Sequence, residues 1–199
     1  EQATFTEADG LLRGDGPVQF KRENMSGSGV GFTYDRQQDA LWMRSKAEIR
    51  FAPTATRPAM DVSSSSAGYS RLQRYARFEE SVRMTREGQI IEADYATMFM
   101  QADADEPDRV ELRGNSRITG GGSMGSLDTM QARDINLDYA TDGRTLEAAT
   151  LAGASNVSLL QPDGSPGQAL AAEFIDMALA PDGAVTRLTG RDAVRMTLP

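Results

Sequence analysis

The stretch that decides the fold is residues 130–139, which read Met130-Gln-Ala-Arg-Asp-Ile-Asn-Leu-Asp-Tyr139. Large apolar, small, β-branched, apolar and tyrosine side chains follow one another here, with polar residues between them. Alternation with a period of two is typical of a strand that buries one face. The same offsets recur over residues 25–34, and further copies begin at Leu170, Ile91 and, most weakly, Met60.

A second pattern lies between these segments. It consists of an apolar residue, a glycine two positions later and a β-branched residue four positions after the glycine. Clear copies begin at Leu12, Leu112, Leu151 and Leu188, and degenerate copies begin at Met43 and Ala76. The starts are separated by 31, 33, 36, 39 and 37 residues. Because the two patterns alternate along the whole chain, we predict a single domain over residues 1–199 with about six strand-pair repeats.

Turn chemistry joins the predicted strands. Thr141-Asp-Gly143 and Pro181-Asp-Gly183 place a glycine where a hairpin needs a positive φ. Residues 168–180 are rich in alanine, yet their offsets match the strand pattern, and we predict a strand there too. We predict loops at the three irregular stretches, residues 53–66, 102–108 and 120–125.

These patterns predict an all-β fold. About a dozen short antiparallel strands with one apolar face must either close into a barrel or fold over into two packed layers. A repeat of this length favours stacking, in which each rung buries its apolar side chains against the next. We therefore predict an elongated β-jelly roll of folded-over antiparallel sheets.

The composition excludes several functions. The chain has no cysteine and no histidine, which removes thiolate metal sites and the commonest general base, so we predict no enzyme, no cofactor and no metal site. Asp103, Asp105, Glu106 and Asp108 lack the glycine and final glutamate of a calcium loop and are expected to form a solvated loop. The formal charge of −8 argues against nucleic acid as a partner.

The period-two positions supply the candidates for an apolar groove. The chain has ten methionines and one tryptophan, and flexible thioether side chains suit a surface that adapts to flexible ligands. Tyr34 and Tyr139 close matching strands, where a ring can lie inside with its hydroxyl at the rim. The candidate groove-lining residues are Val18, Phe20, Val30, Phe32, Ile49, Phe51, Val82, Met84, Met98, Ile118, Ile135, Leu137, Val157, Ile175, Met177, Val194 and Met196.

The alternating patterns and their Asp-Gly hairpins resemble the periplasmic bridge proteins of bacterial lipopolysaccharide transport, the OstA-like family that includes LptA and LptC. The resemblance spans nearly the whole chain and is clearest at residues 112–118, 132–139 and 14–35. It implies a jelly roll open along one side, whose apolar interior shields acyl chains of lipopolysaccharide or a similar lipid. The sugars and phosphates would stay in solvent, and the protein would perform no chemistry.

The resemblance also implies partners and a location. Edge strands would join other transport-bridge proteins in outer-membrane biogenesis, and the same edges make head-to-tail self-association available. The implied location is the periplasm, with room for an inner-membrane anchor in a segment preceding Glu1.

This chain lacks the basic character of the family, so we expect the acyl chains to supply most of the affinity. Residues 1–100 carry 13 basic and 14 acidic groups, against 8 and 15 in residues 101–199. An anionic ligand would therefore meet less repulsion in the first half. Candidate headgroup contacts in that half, which exposed strand charges explain equally well, are Arg13, Lys21, Arg22, Arg44 and Lys46.

The alternative function is that of a structural β-solenoid. Its interior would be fully packed, and it would act as a scaffold through protein contacts at its edge strands. The groove candidates would then be plain core residues. The two functions differ in whether the interior can open to a ligand.

Overall fold

The computed structural model describes residues 3–6, 10–22, 24–54, 58–102, 106–120 and 126–199. Over these residues the chain forms one antiparallel sheet of 14 strands and contains no helix, which confirms the predicted all-β class. The strands are β1 (Ala3–Thr6), β2 (Leu11–Arg22), β3 (Met25–Asp35), β4 (Ala40–Phe51), β5 (Met60–Ser64), β6 (Ser66–Ser70), β7 (Tyr75–Arg86), β8 (Gln89–Met100), β9 (Pro107–Thr119), β10 (Leu127–Tyr139), β11 (Leu146–Leu160), β12 (Pro166–Leu179), β13 (Val185–Arg191) and β14 (Arg195–Thr197).

Apart from β5/β6 and β13/β14, each strand pairs with its neighbours in the chain, so the sheet is a continuous meander. The short strands β5 and β6 both lie between β4 and β7, and together they replace one long strand. In the same way β13 and β14 both pair with β12 at the end of the sheet. The segments of the two sequence patterns fall on strands, except that the copy at Met60 is broken between β5 and β6 and the copy at Leu188 runs past the end of β13.

The long strands bend near their midpoints. The pairing register shifts there, for example between Ala132 and Asp134 of β10 and between Ala152 and Ser155 of β11. Such bulges bend and twist a strand. The apolar-x-Gly pattern marks the bends, because Gly114 and Gly153 take φ values of 72° and 85° at these points.

The bends fold the sheet over into two layers. Each bend divides a long strand into two halves. Layer one consists of the strand halves next to the β4–β5, β7–β8 and β9–β10 turns. Layer two consists of the strand halves next to the β3–β4, β8–β9 and β10–β11 turns. Apolar side chains from both layers form one core. The side chains in it with no exposed surface are Leu112, Ile118, Met130, Ile135, Leu137, Ala149, Val157 and Ile175. The predicted folded-over jelly roll is therefore confirmed.

The core thins toward both ends of the sheet. In β2 and β3 the buried residues are Gly14, Gly29 and Gly31, and the side chains around them are half-buried or exposed. The last rung holds two of the groove candidates, Val194 and Met196. They are 51% and 60% exposed, because among the described residues no strand packs over this end of the sheet.

The Asp-Gly turns share one geometry. Gly143 and Gly183 have φ values of 65° and 80°, as predicted. Each donates its N–H to the carbonyl three residues earlier, over 2.8 Å, and the aspartate before it accepts N–H groups that follow the glycine. Asp163 and Gly164 repeat the arrangement.

The loop prediction for residues 53–66 is wrong over residues 60–64, which form β5 and bury Val62 in the core, and at Ser66, which begins β6. The alternation of Met60, Val62 and Ser64 outweighs the surrounding serines. The loop prediction for residues 102–108 is wrong at Pro107 and Asp108, which begin β9. Residues 103–105 and 121–125 of the other two predicted loops, with Asp103 and Asp105, lie outside the described residues. In the described ranges no helix is long and apolar enough to cross a membrane.

Candidate functional site

The two layers part along the side where the strand ends and turns gather, and an apolar cavity of about 60 Å³ lies in this mouth. Met60 and Met84 reach it from layer one, and Met98 and Met100 reach it from layer two. Four of the ten methionines therefore meet at one opening. The lining residues are Phe51, Pro58, Met60, Met84, Arg86, Gln89, Ile91, Met98, Met100, Pro107, Val110, Tyr139, Gly143 and Arg144.

A second hollow, of about 200 Å³, adjoins this cavity along the mouth. It runs toward the β12–β13 turn and is lined there by Leu179 and Gly183. Both hollows share the same four polar side chains, which therefore stand at the boundary between them. The shared residues are Arg86, Gln89, Tyr139 and Arg144.

Tyr139 and Tyr34 end matching strands but differ in their surroundings. Burial raises the pKa of the Tyr139 phenol, against the opposing effect of the nearby Arg86 charge. The described residues offer its hydroxyl no hydrogen-bond partner. The Tyr34 hydroxyl donates to Asp39 Oδ1 over 3.0 Å, and this bond raises the pKa of Tyr34. Tyr139 therefore keeps a donor free at the mouth.

The predicted groove residues divide by position. Phe51, Met84 and Met98 line the apolar cavity. Val18, Phe20 and Phe51 are half-buried against the core, as Val30 and Phe32 are half-buried in β3. Val194 and Met196 are exposed at the end of the sheet. The buried candidates are Ile49, Val82, Met84, Met98, Ile118, Ile135, Leu137, Val157, Ile175 and Met177.

No family model matches the sequence. No curated protein matches it either. Among solved structures the chain is similar to LptH, described as the LptA homologous periplasmic component of the lipopolysaccharide transport device from Pseudomonas aeruginosa. The identity is 14% and the TM-score 0.45, over 49% of this chain and 71% of LptH. A likeness at this level says nothing about the ligand or function of this chain.

The interior beneath the mouth is closely packed. An engineered core cavity of about 150 Å³ binds benzene, and the cavity here is less than half that size. Leu112, Ile135 and Ile175 are completely buried below it. At this mouth, in the conformation described, an acyl chain gains access where the layers move apart or the methionine side chains rotate.

Sequence reasoning missed the polar residues of the mouth. Arg86 and Gln89 flank the β7–β8 turn and Arg144 lies in the β10–β11 turn, where no strand alternation marks them. Of the predicted headgroup contacts, Arg13, Lys21, Arg44 and Lys46 line neither hollow of the mouth. Arg44 instead pairs with Asp15 and donates to the Gly14 carbonyl on the outer face. The Arg22 side chain lies outside the described part of the chain.

Proposed function

We propose that this chain is a non-catalytic lipid-binding domain that shields acyl chains between its two layers. Its cargo would be lipopolysaccharide or a similar lipid, carried through the periplasm as part of a bridge to the outer membrane. The observation that carries the proposal is the apolar mouth where four methionines meet between the layers. The resemblance of the strand patterns to the transport-bridge family supports the choice of cargo.

Methionine suits this task physically. Its unbranched side chain has three rotatable bonds, so it can rearrange around an acyl chain without a fixed shape. Burial of one methylene contributes about 0.8 kcal/mol, and a chain of a dozen carbons would gain on the order of 10 kcal/mol before ordering costs. That gain can offset the partial opening of the mouth.

The layers can separate at the mouth without breaking the sheet. The backbone hydrogen bonds of the described residues run between neighbouring strands within a layer or at the turns and bends, and none crosses the mouth. Opening there separates side chains such as Met84 and Met98 and leaves the strand pairing intact. The bends at mid-strand would act as the fold line, and the groove candidates beneath the mouth would line the opened interior.

The edges of the sheet would carry the partner contacts. Unpaired strand edges are ready templates for strand addition. At one end the β13–β14 edge also exposes Val194, Met196 and Leu198. We propose that this edge joins another bridge protein or a second copy of this single domain.

Lipid binding is tested by native mass spectrometry of protein from a Gram-negative host, followed by titration with a fluorescent acyl probe. Ile91→Trp would fill the mouth and is expected to weaken probe binding at least tenfold, with little change in the unfolding temperature. Leu72→Trp is the matched control, because Leu72 lies on an exposed turn at 66% exposure. Wild-type protein that carries no lipid and ignores the probe would refute the carrier function.

The packed interior supports the scaffold as a second candidate. A cavity of about 60 Å³ and completely buried core side chains are what a filled solenoid would have. In that case neither the wild-type protein nor the variants Ile91→Trp and Leu72→Trp would bind lipid. Both variants would bind the same protein partners as wild type. Partners captured at the β13–β14 edge would then identify the function.

A further inference from the structure

Two arginines stand where the apolar cavity meets the adjoining hollow. Arg86 ends β7 in layer one, and Arg144 lies in the β10–β11 turn of layer two. Both side chains line both hollows, together with Tyr139. Positive charge from both layers therefore borders one apolar opening.

These two guanidinium groups are unlike most arginines of the sheet. Arg71 pairs with Asp39 and Arg83 pairs with Glu92, whereas Arg86 and Arg144 have no ion pair or side-chain hydrogen bond among the described residues. A guanidinium carries five N–H donors in a planar fork that matches phosphate and carboxylate geometry. Both arginines therefore hold their donors available at the mouth.

Three acidic residues lie close to the mouth in the chain or in the fold. Asp142 accepts the N–H groups of Arg144 and Thr145 and the Thr145 hydroxyl, which donates over 2.7 Å. Glu106 packs its side chain against Gly143 and has a polar contact of its own. Glu87 follows Arg86 in the exposed β7–β8 turn and lines neither hollow. Of these three acidic side chains, that of Asp142 is held by its own turn, and none of the three lines either hollow.

We propose that Arg86 and Arg144 bind the anionic headgroup of a phosphate-bearing acyl lipid while its chain occupies the apolar cavity. The Tyr139 hydroxyl would donate a third hydrogen bond to the same group. The inference rests on the proposed lipid-binding function and adds the headgroup class to it. A net charge of −8 over the chain does not oppose it, because the two hollows are bordered locally by two cations.

The experiment compares amphiphiles that share a twelve-carbon chain. Dodecyl phosphate and dodecyl maltoside, each below its micelle concentration, displace a fluorescent acyl probe from wild-type protein and from the double variant Arg86→Gln/Arg144→Gln. Two charge-assisted hydrogen-bonding groups are expected to give wild type about a tenfold preference for dodecyl phosphate. The double variant should lose that preference while its affinity for dodecyl maltoside stays unchanged. Arg187→Gln, an exposed position on β13 outside the mouth, should retain it.

The outcomes separate the two proposals. Displacement by both amphiphiles with equal affinity in wild type would overturn the headgroup site and leave the lipid-binding function standing. The same holds if the double variant keeps its preference. If dodecyl maltoside binds and dodecyl phosphate does not, only the headgroup site is overturned; if neither amphiphile binds, both proposals are overturned. Inorganic phosphate, added at the same concentration as the amphiphile, should not remove the preference of wild type for dodecyl phosphate. If it does, the site recognises free phosphate and the lipid headgroup assignment is wrong.

Discussion

At the scale of single residues, stability concentrates in the middle of the sheet. Ile135 is completely buried and lies opposite Leu112 on one neighbouring strand and Leu151 on the other. Ile135→Ala should lower the free energy of unfolding by about 2–5 kcal/mol, because it removes buried methylenes and leaves a cavity. Leu72→Ala, on an exposed turn, should change it by less than about 0.5 kcal/mol. Urea unfolding of both variants measures this, and equal losses would contradict the packed core.

One turn residue gives a prediction about pH. The Thr145 hydroxyl, then the Thr145 and Arg144 N–H groups, lower the pKa of Asp142 to about 2 from 3.8. Since the folded pKa lies below the unfolded value, Asp142 stabilises the turn above about pH 4 and loses that contribution as pH falls toward 2.

The Asp142 carboxyl shift followed by NMR titration should show this low pKa in wild type. Thr145→Val removes the first cause and should raise the Asp142 pKa. An unchanged pKa would show that the hydroxyl bond is not made in solution.

At the scale of elements, two turns of the same type differ in crowding. Gly143 and Gly164 both have positive φ, at 65° and 81°. A Cβ on Gly164 would meet open space, whereas one on Gly143 would overlap the Glu106 Cβ. Gly164→Ala should therefore cost only the left-handed strain of about 1–2 kcal/mol. Gly143→Ala should cost about 1–3 kcal/mol more. Thermal and urea unfolding of the two variants measure these losses of stability. Equal losses for Gly143→Ala and Gly164→Ala would rule out the overlap with Glu106.

The strands were predictable because their signals are local. Period-two alternation and Asp-Gly turns act over a few residues, so the sequence located the long strands and the positive φ of Gly143 and Gly183. It did not signal β1, and the serines around β5 favoured a loop there. The bends were harder to see. Lys46 and Ser81 have positive φ at the bends of β4 and β7, where the glycine of the pattern is missing. Pairing with the neighbouring strands imposes a positive φ on these two residues, and neither lysine nor serine signals such a φ in the sequence.

The mouth belongs to the whole molecule and could not be predicted from one strand. Met60, Arg86, Met100 and Arg144 come from strand ends and turns spread over 85 positions of the chain. Only the fold-over brings them to one opening. The period-two pattern identified side chains that face inward, but it does not distinguish an inner position under the mouth from one deep in the core. That distinction depends on where the two layers part.

A meander of stacked rungs also makes a prediction about cooperativity. Each rung contacts only its neighbours, so stability should follow local burial along the sheet. Strands β9 to β12 hold the completely buried core, whereas β13 buries no residue and β2 and β3 bury glycines. Amide hydrogen exchange should therefore be slowest in β9 to β12 and faster toward both ends.

Exchange in denaturant distinguishes this gradient from a single cooperative unit. Under the rung description, the end strands exchange through partial opening with a small denaturant dependence, and the central strands through global unfolding with a large one. Ile135→Ala should then accelerate exchange in β9 to β12 most, because it weakens the rungs on which the others stack. The alternative outcome is that the amides of all strands show the same opening free energy, and that Ile135→Ala lowers this free energy equally in every strand. The two layers would then unfold as one body. The mouth could then open only by side-chain rearrangement, and cargo would enter by rotation of the methionines without separation of the layers.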